Sequence, residues 1–314
     1  MTTHQFGTKG WTPERIGSLV GKTYAITGAN TGAGFEATRI LLSKGASVVM
    51  LNRNQSKSTA AIEQLKQEFG EDVKASFVTM DLADLSSVRT GARKLLESVT
   101  NLDALICNGA IAQVAKQQIN VDGFESQLGV NHFGHFLLSR LLFDRIESTQ
   151  GRIVVVGSNA YKMGLKKIQF DDLNFDKNYT AWNSYAQSKL AQMMFAYELQ
   201  RRIKAAGKSV QVHVCHPGAS RTNLLKDTAS TFNKALWAVL SRIIAQSAEK
   251  GAWPEVMCAT QQELTSETLY GPTKRGDTVG PVGACSLDEV ALNKDMAAQL
   301  WTLSEQSTST SWTL

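Results

Sequence analysis

Residues 23–44 read TYAITGANTGAGFEATRILLSK: a short β-type run, a turn holding three glycines, and an amphipathic helix in direct succession. Thr23 to Thr27 carries strand-forming residue types, and Phe35 to Lys44 places its apolar residues at helical spacing. Between them, the glycines of Thr27-Gly28-Ala29-Asn30-Thr31-Gly32-Ala33-Gly34 let the backbone turn tightly and approach a pyrophosphate. The start of the following helix adds unpaired N–H groups and the positive end of a dipole. A glycine pattern alone says little. Set between a strand and a helix, this one reads as a dinucleotide-binding turn formed by Gly28, Asn30, Thr31, Gly32, Ala33 and Gly34.

Working outward, the same unit repeats. Ser47 to Leu51, Ala75 to Met80, Ala104 to Cys107, Arg152 to Gly157 and Val210 to Cys215 are short apolar runs. They alternate with helical patterns over Ser58–Phe69, Leu85–Ser98, Gly134–Ile146 and Ser184–Ala206. Nearly continuous apolar strands alternating with helices imply a parallel sheet covered on both faces. The expected fold is α/β: a single-domain, Rossmann-type, doubly wound parallel sheet in three αβα layers, with its ligand at the carboxyl ends of the strands.

Composition narrows the function classes. At 43% hydrophobic and 19% charged, with 24 Gly and only 5 Pro, the chain can build a large core. No apolar stretch nears the roughly 18 residues of a membrane span, and the first twenty residues lack a secretory signal's apolar core. A cytoplasmic protein without a transmembrane segment is expected. The net charge of +5 is spread without a Lys/Arg block, so nucleic acid is not an expected partner. Cys107, Cys215, Cys258 and Cys285 lie far apart with no CxxC pair, and read as idle thiols. The spaced pairs His132/His135 and His213/His216 lack a third ligand, so no metal is expected.

A carboxylate near the end of the second strand commonly takes the ribose 2′-hydroxyl of NAD and would repel a 2′-phosphate. Here that position reads Asn52-Arg53-Asn54, and the Arg53 guanidinium offers a planar fork of donors. The cofactor expected is NADP(H).

These residues resemble the short-chain dehydrogenase/reductase family over roughly residues 20–305. Its TGxxxGxG turn matches Thr27 to Gly34, and its YxxxK signature matches Tyr185-Ala-Gln-Ser-Lys189, a four-residue step that puts both side chains on one helix face. With Ser158 after the fifth strand and Asn131 in Val130-Asn131-His132, the resemblance implies a catalytic set of Asn131, Ser158, Tyr185 and Lys189. Tyr185 would exchange the proton at the substrate oxygen, Ser158 would bond that oxygen, Lys189 would hold the nicotinamide ribose, and Asn131 would support a relaying water. Bringing a tyrosine from pKa ≈ 10 to near 7 takes roughly 4 kcal/mol. One ammonium about 4 Å away supplies about that much at an effective dielectric of 20. The family likeness further implies adenine-side contacts from Asp81 and Leu82, and nicotinamide-side contacts from Pro217, Gly218, Ser220 and Thr222. Asn108-Gly109-Ala110 departs from the usual Asn-Ala-Gly order.

The 27-residue step from Ser158 to Tyr185, the segment Lys167 to Phe175, and Tyr270-Gly271-Pro272 resemble the retinol-dehydrogenase-like and protochlorophyllide-reductase-like branch. Ala219 stands where light-dependent protochlorophyllide reductases usually carry Cys. Phe232, Leu236, Val239, Leu240, Ile243 and Ile244 form a helical apolar stripe, read as a substrate lid, a core helix or a membrane-surface helix. The leading expectation is an NADP(H)-dependent oxidoreductase interconverting an apolar carbonyl and its alcohol. C=C reduction and a non-catalytic NADP(H)-binding regulator remain open, and a homo-oligomer is compatible with the chain. Residues 1–20 read as an N-terminal lead and 21–305 as one domain. That domain includes a substrate-side segment at about 219–255 and an extension at about 270–305. Residues 306–314 read as a polar, disordered tail.

Overall fold

The computed structural model describes residues 5–219 and 246–314. Eight strands form one sheet: β1 (Thr23–Thr27), β2 (Ser47–Asn52), β3 (Ala75–Thr79), β4 (Ala104–Cys107), β5 (Arg152–Val156), β6 (Gln211–Cys215), β7 (Leu269–Lys274) and β8 (Val279–Cys285). Their order is β3-β2-β1-β4-β5-β6-β7-β8. All neighbours are parallel except β8, which returns antiparallel beside β7. The strand order reverses between β1 and β4, where a doubly wound sheet opens its ligand crevice.

The helices are α1 (Gly32–Ser43), α2 (Gln55–Phe69), α3 (Leu85–Ser98), the short turn α4 (Ser126–Leu128), α5 (Gly134–Ser148), α6 (Ala181–Ala205), α7 (Ala248–Thr260) and α8 (Lys294–Ser307). Alternation along β1 sends Ile26 to a core with α1, α2 and α7, and Ala25 to a core with α3, α5, α6 and α8. This is the expected three-layer architecture. No described helix is long and apolar enough to cross a membrane.

Two features depart from the sequence reading. The hairpin β7–β8 extends the sheet where only a family-like extension was expected, because Leu269 and Tyr270 pair with Val214 and Cys215. The end of the chain is not a free tail: Trp312 is 2% exposed and packs on Trp301, Phe136, Phe143 and Phe195. Arg89 donates to the carbonyl oxygens of Thr308 and Ser309, and Arg140 to that of Ser311. The polar run Ser307 to Ser311 thus serves as the strap that delivers an aromatic anchor. The lead is also packed, with Trp11 buried and bridged to Val282.

Candidate active site

The β1–α1 turn is built for close approach. Gly28 and Gly32 hold positive φ, where a side chain would be strained. A methyl on Gly34 would lie 2.4 Å from the Asn108 amide nitrogen and 2.7 Å from the Gly28 carbonyl oxygen. Asn108 closes this turn by donating to the carbonyl oxygens of Thr27 (2.8 Å) and Gly28 (3.2 Å). Side chains cap the starts of α2, α3, α6, α7 and α8: Asn54, Asp84, Thr180, Ser247 and Asn293. Thr31, the residue before α1, makes no such bond, so the first N–H groups of α1 are left without a side-chain partner at the carboxyl end of β1. That is the arrangement a pyrophosphate would complete, and the residues present fit a dinucleotide.

The cofactor-side residues expected from sequence converge here. Arg53 is exposed just beyond β2. Asn52, buried beside it, accepts the Ala29 N–H at 2.7 Å and so fixes the turn, while its own amide nitrogen has no partner among the described residues. Asp81 accepts the Ala83 N–H, and Leu82 packs under Gly109 and Gly134. Ala110 follows directly. Of the residues expected on the nicotinamide side, Gly218 lies against Thr278 and Pro272 of the β7–β8 hairpin, and Pro217 just precedes it. The Ala219 N–H donates to the Thr278 carbonyl oxygen, and Gln246 donates to that of Pro217. Ser220, Thr222 and the stripe from Phe232 to Ile244 lie outside the described residues.

A histidine ties the β1 turn to the catalytic side. His135 is buried and neutral, its pKa lowered to about 4 by desolvation. Its single ring hydrogen at Nδ1 goes to the Asn131 carbonyl oxygen at 3.0 Å, which leaves Nε2 to accept from the Thr27 hydroxyl at 2.9 Å. Thr27 Oγ1 in turn accepts the Gly109 N–H at 2.8 Å. His132 points elsewhere, to Ser304 on α8, and His216 accepts the Gly218 N–H at Nδ1. The histidines that pair in sequence therefore have separate tasks.

Asn131 lies in a π-helical turn, Gly129–Phe133, between α4 and α5. Its Oδ1 accepts the Ile111 N–H, and its Nδ2 donates to the Ile111 carbonyl oxygen and to Ser188 Oγ, all at 2.9–3.0 Å. Both amide hydrogens are spent. The side chain clamps the β4 loop to α6, and the backbone carbonyl oxygen accepts from His135.

Ser158 follows β5, and Tyr185 and Lys189 stand one turn apart on α6. Burial raises the Tyr185 pKa, and the Ser158 hydroxyl beside it works in the opposite direction. Lys189 is 2% exposed, and its Nζ donates to the Val156 carbonyl oxygen and to Gln192 Oε1, each at 2.9 Å. Desolvation lowers its pKa to about 7.

Sequence reasoning did not single out Asn52, Ser188 and Gln192 as supports. Helical spacing carried a signal for one of them, since Gln192 stands three residues from Lys189.

The profile of the family described as short chain dehydrogenase matches residues 22–170. Retinol dehydrogenase 14 of Mus musculus is 35% identical over 305 residues, covering 92% of this chain and 86% of its own. A solved structure of an uncharacterized protein from Mycobacterium paratuberculosis is 37% identical. It superposes with a TM-score of 0.80 over 97% of this chain and 100% of that one. An alcohol dehydrogenase from the archaeon Thermococcus sibiricus, complexed with 5-hydroxy-NADP, shares the fold at 19% identity and a TM-score of 0.56. That match covers 74% of this chain and 87% of that one.

Proposed function

Since this chain belongs to the short-chain dehydrogenase family, on its retinol-dehydrogenase-like branch, we propose that it uses NADP(H) to interconvert an apolar carbonyl compound and its alcohol. The observation that carries this reading is the placement of Ser158 directly after β5 and of Tyr185 and Lys189 one turn apart on α6, together with the start of α1 that no side chain caps after β1. The nicotinamide, when bound, supplies or takes the hydride. Tyr185 then moves the proton. Burial keeps its hydroxyl protonated at neutral pH, which suits it to give a proton to a carbonyl oxygen as that oxygen gains charge. In this reading Ser158 holds the same oxygen, and Lys189, fixed by Val156 and Gln192 one turn further along α6, is the residue for the nicotinamide ribose.

The choice of NADP(H) rests on Arg53 and on the lack of a carboxylate beside it at the end of β2. The apolar substrate rests on the stripe that includes Phe232, Leu236 and Val239. The test is NADPH oxidation over a panel running from long-chain aldehydes to small polar ketones, with Tyr185→Phe as control. Turnover of the long-chain set, falling about 10²- to 10⁴-fold in Tyr185→Phe with NADPH binding retained, is the expected result. NADPH binding without any Tyr185-dependent turnover would overturn the catalytic reading. Faster turnover of the polar set would overturn the apolar one.

A further inference from the structure

At the opposite edge of the sheet, where β1, β4 and β5 begin, lies a cavity of about 480 Å³ that the proposed reaction does not use. The lead segment Trp11 to Leu19 forms one wall, and the residues after α7 form another. This volume falls within the range of small-molecule sites.

The ionisable groups lining it are Arg15, Lys22, Tyr24, Asp103 and Arg152. Asp103 is fully engaged: one oxygen accepts from Lys22 Nζ at 2.8 Å and the other from the Thr23 N–H at 2.8 Å. Arg152 is anchored through Nη1 to the carbonyl oxygens of Cys258 (3.1 Å) and Gln261 (2.6 Å), which leaves the rest of its guanidinium fork available. Arg15 is positioned at the rim by a bond to the Phe6 carbonyl oxygen at 3.2 Å and by the Phe6 ring. Once Asp103 and Lys22 cancel, two fixed guanidinium groups remain.

The second observation is Tyr24. The residue is 3% exposed, yet among the described residues its hydroxyl has no hydrogen-bond partner. It lines the cavity between Asp103, which raises its pKa, and Arg152, which lowers it, with burial pushing it up to about 12. A phenol so held keeps its proton and offers one donor into the space. A phenol donor that opens into the cavity beside the Arg152 guanidinium, with Arg15 on the same lining, offers an acceptor one directed hydrogen bond and two positive charges.

We infer that this cavity is a second binding site, for a small organic oxyanion: a carboxylate or a phosphate ester, received by Tyr24, Arg152 and Arg15. The site is independent of the reaction at Tyr185 and of the identity of its substrate.

The test is isothermal titration of the intact protein with inorganic phosphate and with citrate, at ionic strength matched by chloride. One oxyanion per chain is expected. Tyr24→Phe, which keeps the ring and removes the donor, and Arg15→Gln, which changes an exposed residue, should each weaken binding roughly tenfold, the effect of one charge-assisted hydrogen bond. The thermal midpoint without added anion should stay unchanged in Arg15→Gln. Tighter citrate binding would assign a carboxylate, and tighter phosphate binding a phosphate ester. Failure of both probes to bind would overturn the inference. So would binding that both substitutions leave untouched, because the oxyanion would then be sitting at the start of α1.

Discussion

A methyl group built on Gly28 would lie 2.8 Å from the Cα of Gly109, so the turns after β1 and β4 touch backbone to backbone. Asn108 Nδ2 and the Gly109 N–H lock that contact by donating to the carbonyl and hydroxyl oxygens of Thr27. The contact bars a side chain at Gly28, whose methyl would meet the Gly109 backbone, more strictly than at Gly109 itself.

The contact ranks two substitutions. In Gly34→Ala the methyl meets the Asn108 amide at 2.4 Å and a backbone oxygen at 2.7 Å, neither of which can retreat without loss of the closing bonds. In Gly109→Ala the contacts are 3.1–3.3 Å, and the nearest is a Leu82 methyl that can rotate away. Urea unfolding should show Gly34→Ala losing about 1–3 kcal/mol and Gly109→Ala less than about 1 kcal/mol. Equal losses would mean that the turn, not the contact, limits stability.

Arg53 is exposed and makes no ion pair among the described residues, so its removal leaves the fold alone. Arg53→Ala should weaken NADPH by about tenfold or more while NADH changes little, since only the former carries a 2′-phosphate for the guanidinium to meet. Parallel loss for both cofactors, measured by fluorescence titration, would remove Arg53 from the site.

Alternation of apolar runs and helices made the parallel sheet readable, because each buried strand had to be apolar on both faces. The glycine turn and the Tyr185/Lys189 step were readable for a similar reason: a backbone conformation and a helix period fix them locally. What stayed hidden depends on partners far along the chain. Asn131 looks like a site residue, and only the fold reveals that Ile111 and Ser188 consume its amide. Strand β7 is short and interrupted by Gly271 and Pro272, so its pairing with β6 left no periodic trace. The Ser/Thr run before Trp312 has the composition of a free tail, and one aromatic at its end reverses that reading.

Trp312 therefore makes a sharp test. Its ring centroid lies 5.1 Å from Trp301, 5.5 Å from Phe136 and 5.6 Å from Phe143. Trp312→Ala should cost about 3–5 kcal/mol, the usual loss for a buried aromatic. Thr313→Ala, at an exposed neighbour, should stay within about 0.5 kcal/mol. If both were neutral in urea unfolding, the strap from Ser307 to Ser311 would not be holding the aromatic anchor in place.

Glu255 on α7 is 2% exposed, and among the described residues neither carboxyl oxygen has a hydrogen-bond partner. Desolvation raises its pKa to about 8. Between the ordinary carboxylate pKa near 4.5 and this value, the folded chain keeps a proton that the unfolded chain has released. Its contribution to stability is thus fully present below pH 4.5 and is lost as pH rises through 8. Glu255→Met preserves volume and removes both the unpaired oxygens and the titration. At pH 8 it should stabilise the protein by about 1–3 kcal/mol, and the gain should shrink as pH falls toward 5. Urea midpoints taken from pH 5 to 8 on both proteins decide it. A constant difference across that range would show that Glu255 does not carry its proton into the folded state.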